Sequence, residues 1–222
     1  MAARRKQRTQ RKQRTQRTQR TQRTQEERRE GTIRKLLDAA TEALIELGYA
    51  DASVQKICEL AGVSQGALFR HFATREELMV AVGNDVGQKT LVRYRREFEG
   101  RHDDRERAEP LVLAMRLVRD RCRSRLNQAW YELAMASRTS PTLRRGLRPV
   151  ATRYYEDIRQ LGVELLPELA AILGERFAVL VDTIISVFDG ESVHRFVLPQ
   201  PAVDEARLEL LGELAKSLFR GA

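Results

Sequence analysis

The chain has 222 residues, 42% hydrophobic and 32% charged, with a formal net charge of +9 and two cysteines. That length and apolar content suit one domain or two small ones with a real core. No apolar run approaches the roughly 20 residues of a membrane span, and the polar start lacks a signal-peptide core, so a cytoplasmic chain with no membrane partner is expected.

The charge is unevenly spread. Residues 1–25 carry ten Arg and Lys and no acid, so the remaining residues are close to neutral, at −1. The high net charge therefore says little about the folded part. From Arg14 the triplet Arg-Thr-Gln repeats four times, and no hydrophobic residue follows Ala3 before Ile33. With nothing apolar to bury, residues 1–30 are expected to be a disordered basic tail with a charged lead-in, Glu26 to Gly31. A basic arm can follow phosphates or enter a minor groove; a tandem codon expansion without a role gives the same sequence.

The first helical period runs from Thr32 to Leu47, with Ile33, Leu36, Leu37, Ala40, Leu44 and Leu47 on one face. Thr32 is placed to cap it and Gly48 to end it. Ser53 precedes a short helix, Val54–Ala61, with Val54, Ile57, Leu60 and Ala61 facing inward. Gly62-Val63-Ser64 makes a turn, and Gln65–Phe72 is a second short helix with Leu68 and Phe72 inward. Thr74-x-x-Glu77 is a capping box opening a longer helix through Leu78, Val82 and Val86. No period-2 alternation occurs in this half.

The stretch 99–109 is polar and reads as a linker. Pro110 suits the first turn of a helix reaching about Arg125. Asn127–Arg138 follows, and Ser140-Pro141 opens a helix to about Leu166 that Pro149 is placed to kink. Glu168–Leu198 reads as one apolar helix buried on more than one side, since only Asp182, Thr183 and Ser186 interrupt Phe177–Phe188. Asp189-Gly190 marks an irregularity or end within it. After Pro199 and Pro201, Asp204–Phe219 is amphipathic, with Leu208, Leu211, Ala215 and Leu218 on one face and Leu210 and Leu214 beside it.

Two short helices joined by a Gly-containing turn, Ser53 to Phe72, follow the helix-turn-helix plan. Close packing of the two helices needs a turn residue free to take φ > 0, which Gly62 supplies. The exposed side of the second helix offers polar and small residues to a major groove. The block from Thr32 to Val82 resembles the DNA-binding domain of TetR-type transcriptional regulators. The resemblance rests on Leu47-Gly48-Tyr49, Ser53-x-x-x-Ile57, Ala61-Gly62-Val63-Ser64, Gly66, Leu68-Phe69-x-His71-Phe72, Arg75 and Glu77-Leu78. It implies an all-α chain: a three-helix helix-turn-helix domain at 31–82, and a helical ligand-binding and dimerisation domain at 83–222.

It also implies roles. Gln65 would reach base edges, Gly66 would admit the duplex closely, Ala67 could touch a thymine methyl, and Arg70 could meet guanine or phosphate. Ser53 and Ser64 would hold phosphates with backbone N–H groups, and His71 and Arg75 would add phosphate contacts. Gln55 could touch backbone or base. Phe69 departs from the family's tyrosine and cannot make its phosphate bond. Cys58 reads as packing rather than a redox sensor. Residues 31–82 hold five basic and seven acidic side chains. That is a poor electrostatic baseline for DNA, which the basic tail is expected to correct.

The last two helices of each chain would pair into a four-helix dimer bundle, and a two-fold dimer implies a palindromic double-stranded operator. An unknown small-molecule effector would bind between helices and release DNA, with Met115, Trp130, Tyr131, Tyr154 and Phe188 as candidate lining residues; core packing is the plainer reading of each. Arg116, Arg119, Arg121, Arg123 and Arg125 crowd one segment, either as an anion site or, more simply, as a solvated ion-paired face. Glu191-x-x-His194 has the spacing of a bundle metal pair, but a di-metal site needs two such pairs and further carboxylates, so no metal and no cofactor is expected. With three histidines on separate elements, an enzyme is disfavoured. The expectation is a repressor; a ligand-independent or architectural DNA-binding protein is the alternative.

Overall fold

The computed structural model describes residues 2–100 and 110–220, and the side chains within 25–100 and 110–215 together with Ser217. The described residues form ten helices and no strand. In chain order these are α1 Ala2–Asp51, α2 Val54–Ala61, α3 Gln65–Phe69, α4 Arg75–Gly100 and α5 Pro110–Cys122. They are followed by α6 Arg125–Ser137, α7 Pro141–Leu165, α8 Pro167–Leu173, α9 Arg176–His194 and α10 Pro201–Arg220. No helix of the described residues is long and apolar enough to cross a membrane.

Helix α1 begins far upstream of Thr32, so residues 2–30 are helical where a disordered tail was expected. The reason is local. Residues 2–30 contain no Pro or Gly, and Arg, Gln and Lys are good helix formers. The packed part of α1 supplies the nucleus, leaving only propagation, one hydrogen bond per added residue. Thr32 accordingly lies inside the helix, its hydroxyl donating to the Arg28 carbonyl at 2.9 Å, and caps nothing. The regular helix breaks at Gly48 (φ 74).

The short elements follow their caps. Ser53 Oγ accepts from the Lys56 N–H, Ser64 Oγ from Ala67 N–H, and Ser140 Oγ from Leu143 N–H. Gly62, at φ 64 and ψ 37, ends α2 in the left-handed region; a side chain there would cost about 1–2 kcal/mol. Thr74 Oγ1 accepts from Glu77 N–H, while Glu77 reaches back to the Ala73 N–H at 2.8 Å.

Leu36, Ala40 and Leu44 of α1 meet Ile57 of α2, Leu68 of α3 and Leu78 and Val82 of α4 in one core. Leu133 of α6 and Leu143 and Leu147 of α7 complete that core. The expected boundary between 82 and 83 therefore falls inside a continuous α4 whose two halves share packing with later helices. Leu47 and Leu60, placed inward by periodicity, are exposed.

A second core joins α5, α8, α9 and α10 through Met115, Leu169, Phe177, Ile184, Phe188 and Leu208. The expected single helix from Glu168 is split at Gly174 (φ 52), which turns the chain between α8 and α9. In contrast, α9 runs unbroken through Asp189-Gly190 to His194. Helix α4 extends to Gly100 and so takes the first two residues of the linker expected at 99–109; 101–109 lie outside the described residues.

Candidate DNA-binding surface and helix-lined cavity

The α2–turn–α3 unit presents Ser53, Gln55, Ser64, Gln65, Gly66, Phe69 and Arg70 as exposed residues, with Ala67 and His71 partly covered. This is the face proposed from sequence, gathered on one unit because Ile57 and Leu68 anchor the opposite sides of both helices in the core. Each capping serine accepts a bond through Oγ and keeps its own hydroxyl proton to donate outward. A Cβ built on Gly66 would meet only Ser64 Oγ, at 3.9 Å, so the surface is open there. Phe69 is 47% exposed and offers an apolar ring to solvent. Helix α3 stops at Phe69, four residues after its start, and Arg70 and His71 follow in its closing turn.

Two side chains depart from their expected settings. Gln55 Nε2 donates to Glu59 Oε1 at 3.0 Å. Arg75 is turned into the protein: Nε donates to the Ala52 carbonyl at 3.0 Å, a terminal nitrogen donates to the Tyr49 carbonyl, and the guanidinium lies 4.1 Å from the Tyr49 ring centre. It clamps the start of α4 onto the α1–α2 corner. The sequence could not reveal this, because the two carbonyls lie 23 and 26 residues earlier. Lys56, exposed beside Gln55, is a cation on this unit that the motif did not single out.

Arg75→Ala is expected to lower unfolding stability by about 2 kcal/mol, since bonds from a charged donor contribute roughly 1.5–3 kcal/mol. Lysine should rescue little, because a point charge cannot fork to two carbonyls. Urea midpoints of the two variants, with the salt dependence of DNA binding, decide the matter: a clamp leaves the salt slope unchanged, whereas a phosphate contact lowers it by about one.

Three of the seven acids of this domain are engaged from outside it. Asp38 pairs with Lys89 at 2.8 Å, and Glu42 and Glu46 both pair with Arg125 of α6. The Glu42 carboxyl is held below its usual range chiefly by that hydrogen bond. The count of five basic against seven acidic side chains thus overstates the acidity the domain presents.

Behind this unit, three adjoining cavities thread the helices. The first is apolar and lined by Met115, Val118, Ile158, Phe177, Ile184, Ile185 and neighbours from α4, α5, α7, α8 and α9. The second shares Tyr94, Val118, Ile158 and Ile185 with it and adds Trp130, Tyr154, Tyr155, Asn127, Cys122, Arg121 and Asp189. The third shares Asn127, Trp130 and Tyr154 and ends at Gly83, Val86 and Gly87 of α4.

Of the five lining candidates, Met115 faces the first cavity, and Trp130 and Tyr154 wall the other two. Phe188 does not line any of them; it is fully buried in the second core. Tyr131 stands behind the wall, its hydroxyl donating to Asp189 Oδ1 at 2.7 Å. Asp189 is the residue sequence reading missed. Its signal was an acid directly after an apolar run, which was read instead as a helix end. Burial pushes its carboxyl above the usual range, opposed by hydrogen bonds from Tyr131, Cys122 and Asn127. Burial likewise raises the Cys122 and Cys58 thiols, away from reactive thiolates.

The arginine-rich segment is ion-paired as expected and is not a free anion site; Arg116 and Arg125 are exposed, while Arg119, Arg121 and Arg123 are largely buried. Arg119, almost fully buried, pairs with Glu205 at 2.9 Å, and Arg121 with Glu97 at 3.2 Å. Arg123 pairs with Glu191 and with Asp204 at 3.0 Å. Only Arg116 is exposed without such a pair among the described ones. Glu191 is saturated by Arg123 and Arg207 while His194 faces solvent, so the two do not converge on a metal.

Comparison with known proteins agrees with this geometry. The sequence profile of bacterial regulatory proteins of the tetR family matches residues 36–82. An uncharacterized HTH-type transcriptional regulator of Mycobacterium tuberculosis H37Rv is 38% identical over 188 residues, 85% of this chain and 94% of that protein. The HTH-type regulator UidR of Escherichia coli K12 is 35% identical over 71 residues, 32% of this chain and 36% of UidR. Among solved structures, one described as a TetR-family regulator from Rhodococcus sp. superposes with a TM-score of 0.62 at 21% identity, over 83% of this chain and 98% of that one. The multidrug binding protein EbrR in complex with ethidium gives 0.59 at 20% identity, over 84% and 98%. With an exposed α2–α3 unit matched by the family's own profile and a relative similar over nearly its whole length, the chain belongs to the tetR family of bacterial regulatory proteins and is a transcriptional regulator with a DNA-binding helix-turn-helix.

Proposed function

We propose that the protein is a homodimeric repressor that leaves a palindromic operator when a small molecule enters the helix-lined cavities. The observation that carries this reading is the continuity of the three cavities. They share wall residues from Met115 and Ile185 at one end to Gly83 and Gly87 at the other. That far end is part of α4, whose first turns belong to the helix-turn-helix core. An occupant that displaces Trp130 or Tyr154 moves α6 and α7, and these helices touch the DNA-binding unit through Leu133, Leu143 and the Arg125 pairs. Differential occupancy of two arrangements is what coupling between sites requires. EbrR, of the same fold, has been solved with ethidium and with malachite green, which supports a ligand-receiving role for the scaffold.

Dimerisation is supported by apolar side chains left in solvent on α9, α10 and the segment between them. Val179, Phe196, Val197, Val203, Leu210 and Leu214 are all between 48% and 89% exposed. A second copy is the partner that would cover them, and it would bring a second α3 to a second half-site. The N-terminal part of α1 then acts as a basic arm adding phosphate contacts to a weakly acidic domain.

Footprinting on the DNA flanking its own gene tests this reading. A sharp two-fold footprint with weak binding to random DNA is expected; uniform coverage would favour the architectural alternative. Gln65→Ala should lower specific affinity by about 1–3 kcal/mol and relax base preference at one or two positions while leaving random-DNA affinity unchanged. Equal losses on both DNAs would remove Gln65 from base readout.

A further inference from the structure

The chemistry of the effector can be read from the second cavity, and this inference rests on the effector-site reading above. Asp189 lines this cavity together with the rings of Trp130, Tyr94, Tyr154 and Tyr155, among polar and aliphatic neighbours. Its hydrogen-bond partners are all neutral: the Tyr131 hydroxyl at 2.7 Å, the Cys122 thiol and the Asn127 amide. Among the described residues no basic side chain forms an ion pair with it. Arg121 lines the same cavity; one terminal nitrogen is held by Glu97 at 3.2 Å, and its Nε is buried without a hydrogen-bond partner among the described residues. A sequestered carboxylate lacking a counter-charge is costly, and the three neutral donors offset only part of that cost. The rings beside it have negative π faces, which attract cations and gain strength where water is excluded. One of these rings already meets a cation, with Arg159 placed 5.8 Å from the Tyr155 ring centre. An anion would meet the carboxylate and the ring faces together.

We infer that the cavity takes a small organic cation, an amine or quaternary ammonium on an apolar body, with Asp189 as its counter-ion and Trp130 and Tyr154 as ring walls. The apolar body extends past Val118 and Ile185 into the first cavity, which offers almost no polar surface.

Trp130 is the chain's single tryptophan, so fluorescence of the full-length protein reports occupancy directly. Three probes of similar size are titrated: phenyltrimethylammonium, its uncharged carbon isostere tert-butylbenzene, and benzoate. The cation should quench Trp130 saturably and bind at least tenfold more tightly than benzoate. In Asp189→Asn the ratio of cation to tert-butylbenzene affinity should fall at least tenfold. Benzoate binding as well as the cation, no saturable cation binding, or an unchanged ratio in the variant would each overturn the inference. Should the variant not fold, the comparison of cation and benzoate on the natural protein decides alone. The footprinted DNA separates the two claims. Release by tert-butylbenzene or benzoate, without cation preference, sinks the cation assignment and keeps the effector reading. Tight cation binding without release keeps the site and sinks the effector reading.

Discussion

Replacing Glu191 by alanine is expected to cost about 3 kcal/mol of unfolding stability, although the residue touches neither DNA nor cavity. Its side chain is 1% exposed and accepts bonds from both Arg123 and Arg207. Asp204, 5% exposed, faces the same two guanidiniums at 3.0 and 3.1 Å and Arg195 at 3.4 Å. These pairs tie α5, α9 and the first turn of α10 together. Breaking a buried pair by removing one member typically costs about 3–5 kcal/mol, because the partner charge stays buried. Asp204 still offsets part of the stranded positive charge, which sets the lower end of that range. A fall in the urea midpoint at constant slope would register it. His194→Ala should move the midpoint little, since that ring faces solvent. A Glu191 variant as stable as the parent would mean that the network contributes nothing net. The same pair of variants tests the metal spacing: a ligand pair would lose stability at both positions.

Phe188→Ala should be comparably severe, at about 3–5 kcal/mol. The ring is fully buried among Met115, Cys122, Leu169, Leu173 and Leu208. Its removal takes away apolar contacts and leaves a void that helices pinned by the neighbouring ion pairs close only in part. The variant also separates core from cavity. Because Phe188 lies outside the three cavities, its loss should lower stability while leaving cation binding at Trp130 within a few-fold of the parent. Selective loss of ligand binding without loss of stability would return Phe188 to the lining set. Trp130 and Tyr154 should show the opposite pattern, with binding affected beyond any change in stability.

Legibility in the sequence followed the range of the interaction. Features decided within four residues were readable: the serine caps of α2, α3 and α7, the left-handed turn at Gly62, and the Thr74–Glu77 pairing. The exposed side of α2 and α3 was readable for the same reason, because the caps and the inward Ile57 and Leu68 set which side of a short helix is left outside. Helix continuity was read less well. Residues 2–30 were judged by what they could bury, whereas their propensity and attachment to a packed helix carry α1 back to Ala2. Gly174 falls inside the helix expected from Glu168 and is a corner, while Gly190, expected to mark an irregularity or end, lies inside α9. Their difference lies in φ: Gly174 takes φ 52, and Gly190 keeps a helical backbone.

The residue types alone decided that this chain is helical, that it carries a helix-turn-helix, and which side chains that unit shows to solvent. Each of those outcomes depends on hydrogen bonds and apolar periods within a few positions. Tertiary structure alone decided the partners of the charged groups. Arg75 finds carbonyls on the α1–α2 corner, Glu191 finds Arg123 68 residues away, and Asp189 meets Tyr131 58 residues away. A charge is compatible with many settings, and only the fold specifies which opposite charge, donor or cavity it meets. The chemistry by which this regulator would sense a ligand lies in those long-range meetings, while the chemistry by which it would read DNA is local.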